Sequence, residues 1–121
     1  MKFFVSIALI SLLMGCSSEI ARVPEPSDLI PKAKMIDVVR EMVKLESFIQ
    51  TRYVQEAVYH KVMMQSGDSL LKAHKVDRKQ YEGSIDYYGS RQDEMQDIYA
   101  QALEDLNEEL SALETEITEV R

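Results

Sequence analysis

Two short stretches of the sequence carry residue types that could catalyse a reaction or bind a metal. Gly67-Asp68-Ser69-Leu70 spells the signature of a family of serine esterases, in which the serine attacks an ester carbonyl. Such an enzyme also needs oxyanion donors and a downstream Asp-x-x-His segment, but alanine and leucine stand three residues before His60 and His74. We therefore interpret the stretch as a helix end at Gly67, with Asp68 as the cap of the next helix.

The second stretch contains Glu56 and His60, which stand four residues apart and would share one face of a helix. A metal site needs three or four ligands, and the usual arrangement of two histidines on one helix is missing. We predict no metal site and no catalytic residue. Acidic residues crowd the end of the chain, and we interpret most of them as a solvated helix face: Glu104, Asp105, Glu108, Glu109, Glu114, Glu116 and Glu119.

Cys16 is the only cysteine and ends the apolar segment at the N-terminus. Lys2, the apolar run 3–13 and the small Gly15 follow the three-part pattern of a secretory signal, and the run is too short to span a bilayer. Leu13-Met14-Gly15-Cys16 resembles a bacterial lipobox, whose cysteine receives diacylglyceryl and N-acyl chains. We predict a lipoprotein signal peptide at 1–15 and a lipid-anchored, flexible tether at 16–30, with no cofactor besides the lipid.

Charge and sorting signals suggest where such a protein would be found. The net charge of −7 disfavours nucleic acid and anionic headgroups, so we expect no nucleic-acid partner and bilayer attachment through the acylated Cys16 alone. A single Glu19 follows the serines after Cys16, without the acidic cluster of surface-exported lipoproteins. We expect an outer-membrane lipoprotein that faces the periplasm.

The elements that must position these residues are predicted to be helices, because Gly and Pro are few and apolar residues recur at three- and four-residue steps. A long N-terminal helix is predicted from Pro31 to about Gln65. A short helix follows Asp68, a third follows Asp77, and the last follows Ser90. The fold class is all-α: a small bundle of three to four helices at 31–110, followed by an acidic helical tail at 111–121.

The last helix carries a heptad-like apolar seam with alternating four- and three-residue steps. Its members are Tyr99, Leu103, Leu106, Leu110, Leu113, Ile117 and Val120. We expect the seam to pack on the first helix of the same chain; the alternative is helix pairing with a second chain.

Glu46 borders the apolar side of the first helix and needs a partner, for which Arg91 and a tyrosine hydroxyl are both open. The tyrosines cluster, and they can fill the core or line a groove: Tyr81, Tyr87, Tyr88 and Tyr99. Together with Met35, Met42, Met63 and Met64 they could form an adaptable surface that binds peptides.

The segment from about Pro26 to Leu110 resembles a family of Bacteroidota lipoproteins known as domain of unknown function 4296. The resemblance is carried by Pro31, Met35 and Glu46, by Tyr81, Ser84 and Tyr87-Tyr88, and by Ile98-Tyr99, Leu103 and Leu106. This chain has Tyr81 where Phe is common, and it lacks a proline often found before the last helix. The family has no assigned activity, so the resemblance implies location and architecture.

These observations favour a non-enzymatic interaction or assembly module held in the cell envelope, with a protein partner there. The alternative function is a chaperone-like binder of extended peptides that uses the Tyr/Met surface.

Overall fold

Four helices and no strand make up residues 20–120, the part of the chain that this computed structural model describes. The helices are α1 (Lys32–Arg52), α2 (Glu56–Ala73), α3 (Arg78–Gly89) and α4 (Gln92–Glu119). The predicted all-α bundle is confirmed. Within these residues no helix is both long enough and apolar enough to cross a membrane.

The long first helix expected from Pro31 to Gln65 is in fact two helices. It ends at Arg52, and Tyr53 is extended, with φ −124° and ψ 98°. The apolar steps continue across this break, so periodicity alone could not reveal it. A single helix of that length would leave its apolar stripe uncovered, whereas the reversal lets α2 pack back onto α1.

Gly67 lies inside α2, so the predicted helix end there and the separate short helix from Asp68 are both wrong. A methyl group on Gly67 would meet the Met42 sulfur at 3.9 Å, an ordinary contact. The helix ends instead at Ala73, where Lys75 adopts φ 56° and the Val76 N–H reaches back to the Leu71 carbonyl at 2.9 Å. This is a Schellman motif with lysine at the position that glycine usually holds.

Local capping explains the start of α3 better than the start of α4. Asp77 is the predicted cap of α3, and its side chain accepts a hydrogen bond from the Gln80 N–H at 2.8 Å. Ser90 was predicted to cap α4, but it ends α3, and α4 begins after Arg91 without a side-chain cap.

The core lies where α1 packs against α2 and α4, with α3 closing one end. α1 and α4 run parallel, since three ion pairs along them join residues at the same separation of 65 positions: Lys32 with Asp97, Arg40 with Asp105, and Lys44 with Glu109. The buried apolar side chains come from every helix and from the segment before α1: Ile30, Met35, Ile36, Val38, Val39, Ile49, Leu71, Val76, Tyr88, Ile98 and Ala102.

Residues 23–30, which we call the strap, are folded onto α3 and the start of α4. Ile30 is completely buried, and the main chain of the strap is hydrogen bonded at both ends. The tether predicted at 16–30 is therefore not free over its second half.

Candidate functional site

Cys16, the predicted lipidation residue, lies outside the described residues. The structure thus bears on the other candidate residues only, and it separates them into three places: the strap, a groove between α1, α2 and α3, and the side of α4.

Ser84 and Tyr88 hold the C-terminal end of the strap. The Ser84 hydroxyl accepts a hydrogen bond from the Ile30 N–H at 3.0 Å and donates one to the Gln80 carbonyl at 2.8 Å. The Tyr88 hydroxyl donates to the Ile30 carbonyl at 2.8 Å. Both polar groups of the buried Ile30 peptide are satisfied in this way, which gives Ser84 and Tyr88 a structural role.

Ser90 and Arg91 hold the N-terminal end of the strap in the same manner. The Val23 N–H donates to the Ser90 hydroxyl at 2.9 Å, and the Arg91 guanidinium donates to the Val23 carbonyl at 3.0 Å. Sequence reasoning does not reveal this pair, because a serine between two helices has the pattern of a helix cap. The Arg91 guanidinium carbon also lies 3.7 Å from the centre of the Tyr87 ring, so the half-buried Tyr87 supports the Arg91 side chain.

Glu46 finds its partner in a tyrosine outside the predicted cluster. The Tyr59 hydroxyl donates to Glu46 Oε1 at 3.1 Å, across the contact between α1 and α2. Of the two partners left open by the sequence, a tyrosine hydroxyl is correct and Arg91 is not.

Tyr81 lines a groove of about 210 Å³ between α1, α2 and α3. Burial raises the pKa of the Tyr81 hydroxyl to about 12. Methionine and histidine side chains complete much of the lining: Met42, Met63, Met64 and His60. Of the residues predicted to form a Tyr/Met surface, only Tyr81 and three methionines line this groove. Met35 and Tyr88 are in the core, Tyr87 is at the strap, and Tyr99 lies on α4 outside the lining, so the predicted tyrosine cluster is not one surface.

The residues of the esterase-like stretch are engaged in helix contacts. Ser69 donates a hydrogen bond to the Gln65 carbonyl within α2 at 3.0 Å, and Asp68 pairs with Arg78 of α3 at 2.7 Å. Among residues 20–120, no three His, Cys, Asp or Glu side chains are grouped as a metal site would require.

Most of the predicted seam of α4 is exposed and not packed on α1, contrary to our first expectation, although Leu106 is half-buried. We call the seam residues, Tyr99 to Val120, the outer face of α4. Most of its side chains are about half exposed, for example Leu103 at 48%, Leu110 at 52%, Leu113 at 54% and Ile117 at 63%.

A different face of α4 packs on α1. Its residues follow the same four- and three-residue steps as the seam, but each stands one position before a seam residue. This inner face consists of Ile98, Ala102, Asp105 and Glu109. Because one residue turns an α-helix by about 100°, the outer face points well away from α1. The apolar pattern predicts the correct period but the wrong side of the helix, because two of the four inner residues are acidic.

Ion pairs replace apolar contacts at the acidic end of the inner face. Arg40 lies 3.3 Å from both Asp105 and Glu109, and Lys44 also pairs with Glu109. Hydrogen bonding to Lys44 lowers the pKa of Glu41, which joins the same network from α1.

The described residues thus form a small all-α bundle with a largely exposed apolar face on its last helix. Residues 26–112 match the family model of domain of unknown function 4296. The chain therefore belongs to this family. Searches of curated proteins and of solved structures found no match to the chain.

Proposed function

We propose that this protein is a lipid-anchored, non-enzymatic interaction module of the cell envelope, placed on the periplasmic face of the outer membrane. Its helical domain binds a protein partner through the outer face of α4. The observation that carries the proposal is this face itself. Every seam position of the heptad pattern from Tyr99 to Val120 holds an apolar residue, and most of these side chains are about half exposed.

Such a face needs a reason, because soluble monomers rarely expose large contiguous apolar patches. The pattern continues without interruption from the part of α4 beside α1 into the fully exposed end of the helix. A helix end that served only as a tail would not need leucine and isoleucine at these positions. The arrangement is that of a helix prepared to pair along its length.

The anchor rests on the sequence around Cys16. The strap adds support from the structure, because it fixes the chain from Val23 onward and leaves only a few residues between the lipidation site and the domain. Such a short link keeps the domain beside the membrane that holds the lipid.

Site-specific photocrosslinking in the native envelope tests the interaction. A photoreactive residue at Leu113, on the outer face, should give a discrete crosslinked product, whereas the same residue at Thr115 on the opposite side of α4 should not. Equal products from both positions, or none from either, would contradict the proposal.

The groove that Tyr81 lines favours a second function, the binding of extended peptides by a chaperone-like protein. Methionine side chains adapt to varied apolar ligands, and Met64 is 54% exposed at this groove. If this function is correct, the full chain slows aggregation of a denatured client protein, and Met64→Glu abolishes the effect while Glu104→Gln does not. If the client protein aggregates as fast with the wild-type chain as without it, the chaperone function is excluded.

A further inference from the structure

The charges beside the outer face of α4 are all of one sign. The helix runs from Gln92 to Glu119 without a lysine or arginine. Glu109 and Glu116 flank the outer face on one side, and Glu114 flanks it on the other. Whatever covers this face must therefore accommodate carboxylates along both edges.

The pairing of α1 with the inner face shows how this protein itself covers an acidic side of α4. α1 brings basic side chains to the carboxylates of α4: Lys32 pairs with Asp97, Arg40 with both Asp105 and Glu109, and Lys44 also with Glu109. Apolar residues of α1 fill the space between them, with Val39 and Ile36 buried. The parallel partner of α4 within the chain is thus an amphipathic helix with basic flanks.

A second copy of α4 would be a poor partner for the outer face. In a parallel pair, Glu109 of one copy would face Glu114 of the other, because residues flanking the seam meet across a coiled coil. In an antiparallel pair, the edge that carries Glu109 and Glu116 would meet the same edge of the other copy. Glu109 is already paired with Arg40 and Lys44, but neither orientation offers Glu114 or Glu116 a basic residue from within Gln92–Glu119, so self-pairing leaves these two carboxylates without a counter-charge.

We propose that the outer face of α4 binds an amphipathic helix of another protein that has a Leu/Ile stripe flanked by lysine or arginine. This rests on the proposed function and names the chemistry of its partner. The apolar stripe of that helix covers the residues from Leu103 to Ile117, and its basic flanks pair with Glu114 and Glu116, since Glu109 is already paired with Arg40 and Lys44. Specificity comes from the flanks, because an apolar stripe alone would also accept helices with acidic edges.

Two synthetic 28-residue peptides with the same Leu/Ile heptad positions serve as probes, one with lysine and one with glutamate at every flanking position. The full chain immobilised on a sensor should bind the lysine peptide at least tenfold more tightly than the glutamate peptide. High salt should reduce this difference. Equal affinity for the two peptides would overturn the inference.

Charge reversal provides the matched control. Glu114→Lys with Glu116→Lys should weaken binding of the lysine peptide and strengthen binding of the glutamate peptide. Glu104→Lys with Glu108→Lys makes the same change in net charge on the far side of α4 and should alter neither affinity more than twofold. An equal effect of both variants would show nonspecific attraction and overturn the inference.

Two further results separate this inference from the proposed function. A crosslink at Leu113 to a protein whose contacting helix lacks basic flanks would overturn the partner chemistry and leave the interaction module standing. A stable dimer of the full chain in sedimentation, dissociated by Leu113→Ser, would assign the face to a second copy and overturn the inference.

Discussion

Ser84 and Ser90 have the same task at the two ends of the strap. Each serine hydroxyl accepts a hydrogen bond from a main-chain N–H of the strap, and a second side chain donates to the carbonyl of the same strap residue. Tyr88 is the second side chain at Ile30, and Arg91 is the second side chain at Val23. The resemblance to the family had pointed to Ser84 and Tyr88 as candidate structural or binding residues. Their partner could not be predicted, because nothing in the local sequence indicates that Ile30 is buried beside α3.

Replacing Ser84 by alanine should lower the free energy of unfolding by about 1–3 kcal/mol, because the buried Ile30 N–H loses its acceptor. Urea denaturation of the full chain followed by circular dichroism measures the loss. Ser69→Ala is the control, since Ser69 makes the same bond to a helix carbonyl but is exposed. If Ser84→Ala lowers the free energy of unfolding no more than Ser69→Ala does, the structural role of Ser84 is contradicted.

Tyr81 should titrate well above the ordinary tyrosine value in the folded protein, because burial raises its pKa to about 12. The folded-state pKa lies above the ordinary value of 10.0, so this group stabilises the fold fully below pH 10.0 and loses that contribution as the pH rises toward 12. Tyrosinate absorbance during an alkaline titration measures it. Tyr81→Phe should remove the late step, and Tyr53→Phe, which changes an exposed tyrosine, should leave it.

Among the elements, α4 shows most clearly what periodicity can and cannot predict. The alternating steps correctly indicated a long helix with an apolar seam. They do not indicate which side meets α1. Asp105 and Glu109 have the pattern of solvent-facing carboxylates, and only their ion pairs with Arg40 and Lys44 show that they face α1. Which side of an amphipathic helix packs depends on the partner element, and a single helix sequence does not contain that information.

The break between α1 and α2 was missed for a related reason. Tyr53, Val54 and Gln55 include neither glycine nor proline, the usual signals for a reversal. The reversal is fixed by packing between distant positions, such as the Tyr59 hydroxyl on Glu46. The start of α3 was predictable because Asp77 caps it locally.

Arg40 should contribute measurably to the contact between α1 and α4, since it lies within ion-pair distance of Asp37, Glu41, Asp105 and Glu109. We expect Arg40→Gln to lower the free energy of unfolding by about 1 kcal/mol at low salt and by less in concentrated NaCl. Denaturation curves at the two salt concentrations measure the difference. Arg52→Gln, which removes a guanidinium lying over the Phe48 ring, should show no comparable salt dependence.

The same network predicts a pH dependence. Hydrogen bonding to Lys44 lowers the pKa of Glu41 below its ordinary value of 4.5, so its stabilising contribution is present above pH 4.5 and is lost as the pH falls further. The difference in unfolding free energy between wild type and Glu41→Gln should therefore be constant near neutral pH and vanish in acid. A Glu41 difference that persists in acid would contradict the assignment.

At the scale of the whole molecule, the predicted location depends on Cys16. Changing Cys16 to alanine should abolish labelling of the protein by radioactive fatty acid and either release it from the membrane fraction or block its maturation. Ser17→Ala should leave labelling unchanged. Retained labelling in the Cys16 variant would contradict the lipid anchor.

The strap also sets the reach of the molecule. With lipid on Cys16, the seven residues to Val23 span at most about 25 Å, so the start of α4 stays that close to the bilayer. The 28 residues of α4 extend about 42 Å from this point, and the outer face occupies the distal part of that length. With lipid on Cys16, releasing Val23 from Ser90 and Arg91 would lengthen the link between the lipid and α4 and so increase the distance from the bilayer at which the outer face can lie, without changing any residue of that face.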